Sequence, residues 1–160
     1  MEARDSKASE VIMTQLVLPT HTNALGTVFG GTVMSWIDIA AAIAAQRHSQ
    51  KDVVTASIDE LHFLAPIYQG WVVNLKAGVN FVSKSSMEVG VRVESENPKT
   101  GERFHTASAY LTFVCLGSNG KPTTVPPLAL KTDDEKRRFR DAQIRREGRL
   151  QRREKYKQHP

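Results

Sequence analysis

Two hydrophobic periods alternate along the chain and divide it into elements. Val11 to Leu18 reads as a strand that stops at Pro19. His21 to Gly31 is rich in Gly, Thr and Asn and reads as a loop. From Thr32 to about Gln46 helix formers dominate, and Val33, Met34, Trp36, Ile37, Ile39, Ile43 and five alanines leave almost no polar side. A helix without a wet face is expected to be buried. Period two then takes over. Val53–Leu64 is rich in β-branched residues and ends before Pro66. Trp71, Val73, Leu75, Ala77, Val79 and Phe81 alternate with a more polar set. Met87, Val89, Val91 and Val93 alternate with Glu88, Gly90, Arg92 and Glu94. Both runs carry the alternation of a half-buried strand. Asn97 to Gly101 is turn chemistry. Arg103–Leu116 is apolar on both phases, which predicts a central strand, closed by Ser118-Asn119-Gly120.

This order predicts an α+β fold: a five-stranded antiparallel sheet wrapped around one long buried helix, the arrangement that buries everything needing burial. Pro122, Pro126 and Pro127 mark a linker. Thr132 followed by Glu135 forms a capping box, and Asp133 and Asp134 suit a first helical turn. A second helix is therefore expected over 132–157. Phe139, Ile144 and Leu150 are too sparse for a strong apolar stripe. That helix is expected to be solvated, packed on the body or on a neighbouring subunit, with catalysis intact without it. Residues 1–9 are expected to be a disordered lead-in, 10–125 the single domain, and 126–160 the linker and charged helix.

Composition fits one globular domain: 160 residues, 40% hydrophobic and 24% charged. No run approaches the roughly 18 apolar residues of a membrane span. The charged start lacks a secretory pattern. The lone cysteine, Cys115, forms no intramolecular disulfide and, between Val114 and Leu116, is expected to be a buried thiol. Together these features point to the cytoplasm, without membrane insertion. The net charge of +5 is uneven. Residues 131–160 hold 12 Lys/Arg against 6 Asp/Glu, while residues 1–130 hold 10 against 11. The basicity belongs to the tail, and the body is nearly neutral. The tail also lacks interleaved aromatics apart from Phe139 and Tyr156. Nucleic acid is therefore not the expected partner.

Asp38 is the chemical anomaly. It stands mid-helix in Met34-Ser35-Trp36-Ile37-Asp38-Ile39-Ala40, the most apolar part of the chain. Asp is a poor helix-interior residue, and a buried carboxylate needs compensation. It either pairs structurally with a neighbour or acts as a general base whose pKa apolar surroundings would raise. Gly30 and Gly31 directly precede the helix. They either make a tight turn or let a substrate approach the free, positively polarised amides of the helix start, where a developing oxyanion would be stabilised. The five histidines show no metal-ligand spacing, so no metal is expected. There is no Gly-x-Ser-x-Gly elbow. Ser83-Lys84-Ser85-Ser86 sits between two strong strands and reads first as a polar hairpin turn.

His21-Thr22-Asn23-Ala24-Leu25-Gly26-Thr27-Val28-Phe29-Gly30-Gly31, followed by Met34-Ser35-Trp36-Ile37-Asp38, closely resembles the signature of hot-dog-fold acyl-CoA thioesterases. Those enzymes show an Asn, a Gly three residues on, Phe-Gly-Gly, and an Asp seven residues after the second Gly. The segments 59–66, 82–93 and 101–114 resemble the family's later strands, so the likeness covers about residues 10–125. It implies hydrolysis of a fatty acyl-CoA thioester without metal or redox cofactor, CoA being part of the substrate and product. Asp38 would be general base or nucleophile, Asn23 would orient water or substrate, and amides near Gly30 and Gly31 would polarise the carbonyl. It further implies that two subunits join sheets edge to edge, that the site forms between them, and that three dimers make a hexamer. The CoA nucleotide would lie near Ser83, Lys84, Ser85 and Ser86. The family often has Gly-Arg-Ser-Ser there, so the phosphate contacts depart from its pattern. Reach points the same way as the implied dimer. Gly31 to Asp38 spans about 10 Å of helix, and pairing Asn23 of one subunit with Asp38 of another avoids folding the loop back. Two other readings compete: a hot-dog hydratase or dehydratase, which usually pairs a His with a carboxylate, and a non-enzymatic acyl-CoA sensor or an RNA-binding module carried by the tail, the last weakened by the tail's few aromatics.

Overall fold

The computed structural model describes residues 1–59 and 61–159. In chain order the elements are β1 (Arg4–Asp5), β2 (Val11–Leu16), α1 (Gly30–Ser49), β3 (Asp52–Ile58), β4 (Val72–Val82), β5 (Ser86–Glu96), β6 (Arg103–Leu116), β7 (Leu128–Ala129) and α2 (Asp133–Gln158). Five strands form one antiparallel sheet in the order β2-β4-β5-β6-β3. β4 and β5 alternate as their sequences predict, and β6, apolar on both phases in sequence, also buries one face more deeply than the other. Leu75, Ala77, Val89, Val91, Val93, Ala107, Ala109, Leu111 and Phe113 fill one face and close over Val33, Ile37, Ala40, Ala41 and Ala44 of α1. The many alanines let the helix lie close to the sheet. Cys115 is fully buried in β6, as expected of a structural thiol.

Three expectations need correction. The strand expected over 53–64 ends at Ile58. Beyond it the chain still runs beside β6, with the Asp59 amide donating to Tyr110 O (2.9 Å) and the Leu64 amide to Thr106 O (2.8 Å). Five residue steps on one side stand against four on the other, so a regular ladder cannot continue. The lead-in expected to be disordered is tied down. Arg4 donates to the His48 carbonyl, its amide bonds Pro127 O (2.9 Å), Ser6 bonds Glu135 (3.1 Å), and Asp5 pairs with Lys131 (2.8 Å). Its polar residues find partners from the far end of the chain.

The third correction concerns α1. It is not enclosed on all sides within one chain. Met34 and Ile39 are 40% and 51% exposed, and with Ser35, Asp38 and Ala42 they share one helical stripe. That stripe lies toward the edge strand β3, where Val54 is 47% exposed. The expected tail helix is present, capped by Thr132 and Glu135 as its sequence predicts. It lies on the outer face of the sheet, opposite α1. Phe139 packs on Phe81 with ring centroids 4.8 Å apart, and Ala142 is buried.

Candidate active site

The loop before α1 is held by its own chemistry. Asn23 Oδ1 accepts from the amides of Leu25 (2.9 Å) and Thr27 (3.2 Å), and Nδ2 donates to the Thr27 hydroxyl (2.9 Å). This is the turn-forming habit of Asn. Gly26 follows at φ +78°, a conformation that glycine adopts without strain. His21 accepts from the Leu18 amide through Nδ1 (3.0 Å) and sets its ring edge-on to Trp36, 5.1 Å between centroids. The loop therefore arrives at the helix with a defined path.

The helix begins at Gly30 with no side-chain cap. Among the described residues no hydrogen bond uses the Gly30 or Gly31 amide. Two polarised donors are thus left open. The two glycines differ. A Cβ at Gly30 would come within 3.3 Å of the Phe63 ring, so Gly30 serves close packing. A Cβ at Gly31 would meet nothing in this chain. Thr27, Val28, Gly30, Phe63, Ala65, Pro66 and Ile67 line a cavity of about 220 Å³ at this point.

Asp38 sits about two turns further along, half-buried rather than sealed. Its Oδ1 accepts a 2.7 Å hydrogen bond from the Thr55 hydroxyl on β3. The rest of the carboxylate has no partner among the described residues. Thr55 is the site residue that sequence reasoning missed. A Thr in a β-branched run is ordinary strand composition, and nothing in the sequence marks a contact that crosses from strand to helix.

Among the described residues no hydrogen bond joins Asn23 to Asp38 within one chain: Asn23 bonds within its own loop and Asp38 bonds Thr55. The serine turn behaves first as a hairpin. Ser83 and Ser86 bond through their backbones (2.9 Å) and their hydroxyls (2.7 Å), while Lys84 is exposed and its ammonium has no partner among the described residues. Among the described residues no group of three His, Cys, Asp or Glu could hold a metal.

Residues 25–102 match the family model of the thioesterase superfamily. The uncharacterized acyl-CoA thioester hydrolase YkhA of Bacillus subtilis is 48% identical over 134 residues, covering 84% of this chain and 78% of that one. The chain belongs to the thioesterase superfamily. Its sheet wrapped on α1 is the hot-dog fold of that family. The crystal structure of an apo-hexameric acyl-CoA thioesterase superposes with a TM-score of 0.91 at 42% identity, covering 95% of this chain and 97% of that one. The acyl-CoA hydrolase of Staphylococcus aureus, solved with butyryl-coenzyme A, coenzyme A and coenzyme A disulfide, gives 0.90 at 38% identity, covering 98% and 95%. Alanine variants of that hydrolase have been solved at an Asn, at an Asp fifteen residues on, and at a Thr seventeen residues beyond. Asn23, Asp38 and Thr55 repeat both spacings.

Proposed function

We propose that this protein hydrolyses the thioester of fatty acyl-CoA to a free fatty acid and CoA, with Asp38 at the centre of the chemistry. The observation that carries the reading is Asp38 itself: a carboxylate on the open stripe of an apolar helix, oriented by one neutral hydroxyl and with no other partner among the described residues. As a base it takes a proton from water while the water oxygen attacks the thioester carbonyl. As a nucleophile it attacks directly, and water then releases the acyl group. In either route the carbonyl oxygen gains charge beside the open amides of Gly30 and Gly31, the C–S bond breaks, and CoA leaves as a thiolate that takes up a proton. The thioester needs no metal in this scheme. The expected location is the cytoplasm, where the buried Cys115 stays a thiol.

The site is composite in this reading. Asn23 is held in its own loop, and Asp38 faces the free edge strand β3. A second copy joined two-fold along β3 would cover Met34 and Ile39 and bring its Asn23 loop to Asp38, giving two equal sites per dimer. Three such dimers would make the hexamer. The CoA nucleotide would run to the Ser83–Ser86 turn, where the unpaired Lys84 meets a phosphate.

Thiol release from palmitoyl-CoA tests the activity. Asp38→Ala is expected to lower kcat by about 10²–10⁴ with CoA affinity within a few fold; a folded variant retaining more than about half of kcat sinks the assignment. Mixing inactive Asn23→Ala and Asp38→Ala subunits places both lesions in one site and none in the other. Activity should return toward half per heterodimer. No recovery in verified heterodimers means that both residues act within one chain.

A further inference from the structure

The tail helix reaches across the outer face of the sheet to the residue that follows β3. Glu88 lies on the outer face of β5 and is only 1% exposed. Arg145 of α2 grips it with two 2.8 Å bonds and stacks 3.6 Å over the Tyr110 ring. Arg149, one turn further on, stands between two carboxylates: its Nη1 is 2.9 Å from Asp59 Oδ2 and 3.9 Å from Glu88 Oε1. Arg149 and Asp59 are both mostly buried, 18% and 14% exposed. This is a shielded pair, unlike the solvated ion pairs that contribute little.

Asp59 is the residue at which β3 gives way to the irregular segment leading to β4. Further on, Ile67 O accepts from the Val28 amide (2.8 Å), which ties it to the loop before α1. Phe63 and its neighbours 65–67 form one side of the cavity at Gly30, where the reacting carbonyl would sit. A guanidinium ninety residues away in sequence thus fixes the near end of the wall against which the acyl group must lie.

We propose that Arg149 is a positioning residue for substrate selection: through Asp59 it sets the segment carrying Phe63, and so sets which acyl chains fit beside Gly30. This rests on the thioesterase reading of the site. The wall is apolar, with Phe63, Ala65, Pro66 and Ile67, so its occupant is the acyl chain rather than the charged nucleotide of CoA. Arg149 touches neither substrate nor reacting atoms. It acts by holding Asp59, just past the end of β3.

The test compares Arg149→Met, Arg149→Lys and Asp59→Asn with the wild-type oligomer over a series of acyl-CoA chain lengths, alongside amide hydrogen exchange at Leu64. Arg149→Met should change the ratio of kcat/KM between long and short chains by about tenfold, the low end of what one methylene of pocket contact carries. The change should fall mainly on KM, with kcat on the preferred substrate little altered. Arg149→Lys, which keeps a cation for Asp59, should stay near wild type. Asp59→Asn breaks the pair from the other side and should reproduce the shift. Leu64 exchange should quicken in both disrupted variants. An unchanged chain-length ratio, or a uniform fall in kcat at every length, overturns the proposal. So does wild-type exchange at Leu64 in both variants. A wild-type protein that releases no thiol overturns the thioesterase reading instead, and Leu64 exchange still reports whether Arg149 holds the segment.

Discussion

Asp38 and Glu88 are two carboxylates associated with the same sheet, and they meet opposite fates. Asp38 looks anomalous in sequence, surrounded by apolar helix residues, yet it is half-buried in the chain and has one neutral donor. Glu88 looks ordinary, the polar member of a clean alternation, yet it is 1% exposed and receives Arg145 twice and Asn80 once (3.1 Å). A carboxylate enclosed by guanidiniums has no lone pair to offer a substrate. A carboxylate with one hydroxyl does. The number of satisfied lone pairs, more than the depth of burial, separates the structural group from the chemical one.

The sharpest way to break this comparison is to remove one partner from each. Arg145→Met leaves Glu88 beneath the rest of the helix with its main counter-charge gone. Stability should fall by about 3–5 kcal/mol, read by urea unfolding of the assembled protein. Asp38→Asn should cost less than about 1 kcal/mol while removing turnover. If Arg145→Met costs no more than Asp38→Asn, water reaches Glu88 and the contrast fails. The tail packs on the body through Arg145 and Arg149, one of the two placements its sequence left open.

A smaller effect tests the other carboxylate. Thr55→Val keeps the shape and removes the hydroxyl that orients Asp38. A hydrogen bond to a charged group contributes about 1.5–3 kcal/mol, so thiol release should slow by about tenfold or more. KM should change little. Unchanged kcat would mean that Asp38 is oriented by something other than this hydroxyl.

The sequence readings succeed where a contact is local and fail where it is distant. Period two places β4 and β5 to within a residue or two, an apolar run between turn signals places β6, and the Thr132–Glu135 box marks the start of α2, because each signal lies within a few residues. Asp38 is legible because its neighbours in sequence are wrong for a charge. Thr55 is not, since its partner is 17 residues away across a helix and a strand. Glu88 reads as solvent-facing because its cover arrives 57 residues later. The apolar stripe around Met34 and Ile39 is instructive in another way. Its composition reads as that of a fully covered helix, and a single chain leaves Met34 and Ile39 about half exposed.

His48 combines the two cases. It is buried like Glu88, 1% exposed, and incompletely satisfied like Asp38. Its Nε2 donates to Pro126 O (2.8 Å), while Nδ1 has no partner among the described residues. Burial holds its pKa below the ordinary imidazole value of 6.5, the bond to Pro126 opposes this, and Arg4, which bonds its carbonyl, adds to the lowering. The sign follows from linkage. Below pH 6.5 the unfolded chain protonates this histidine first, so the unfolded state binds more protons and stability declines as pH falls toward the folded pKa. Above pH 6.5 both states are neutral and the contribution is constant. His48→Gln keeps an N–H for Pro126 and removes the titration. Melting curves at pH 7.5 and pH 5 should therefore show a smaller acid loss in the variant than in the wild type. For a chain of this size a difference of 1 kcal/mol corresponds to about 2–4 °C in Tm. Equal acid losses would mean that Nδ1 finds an acceptor on protonation. His48 would then belong with Glu88 among the fully compensated groups.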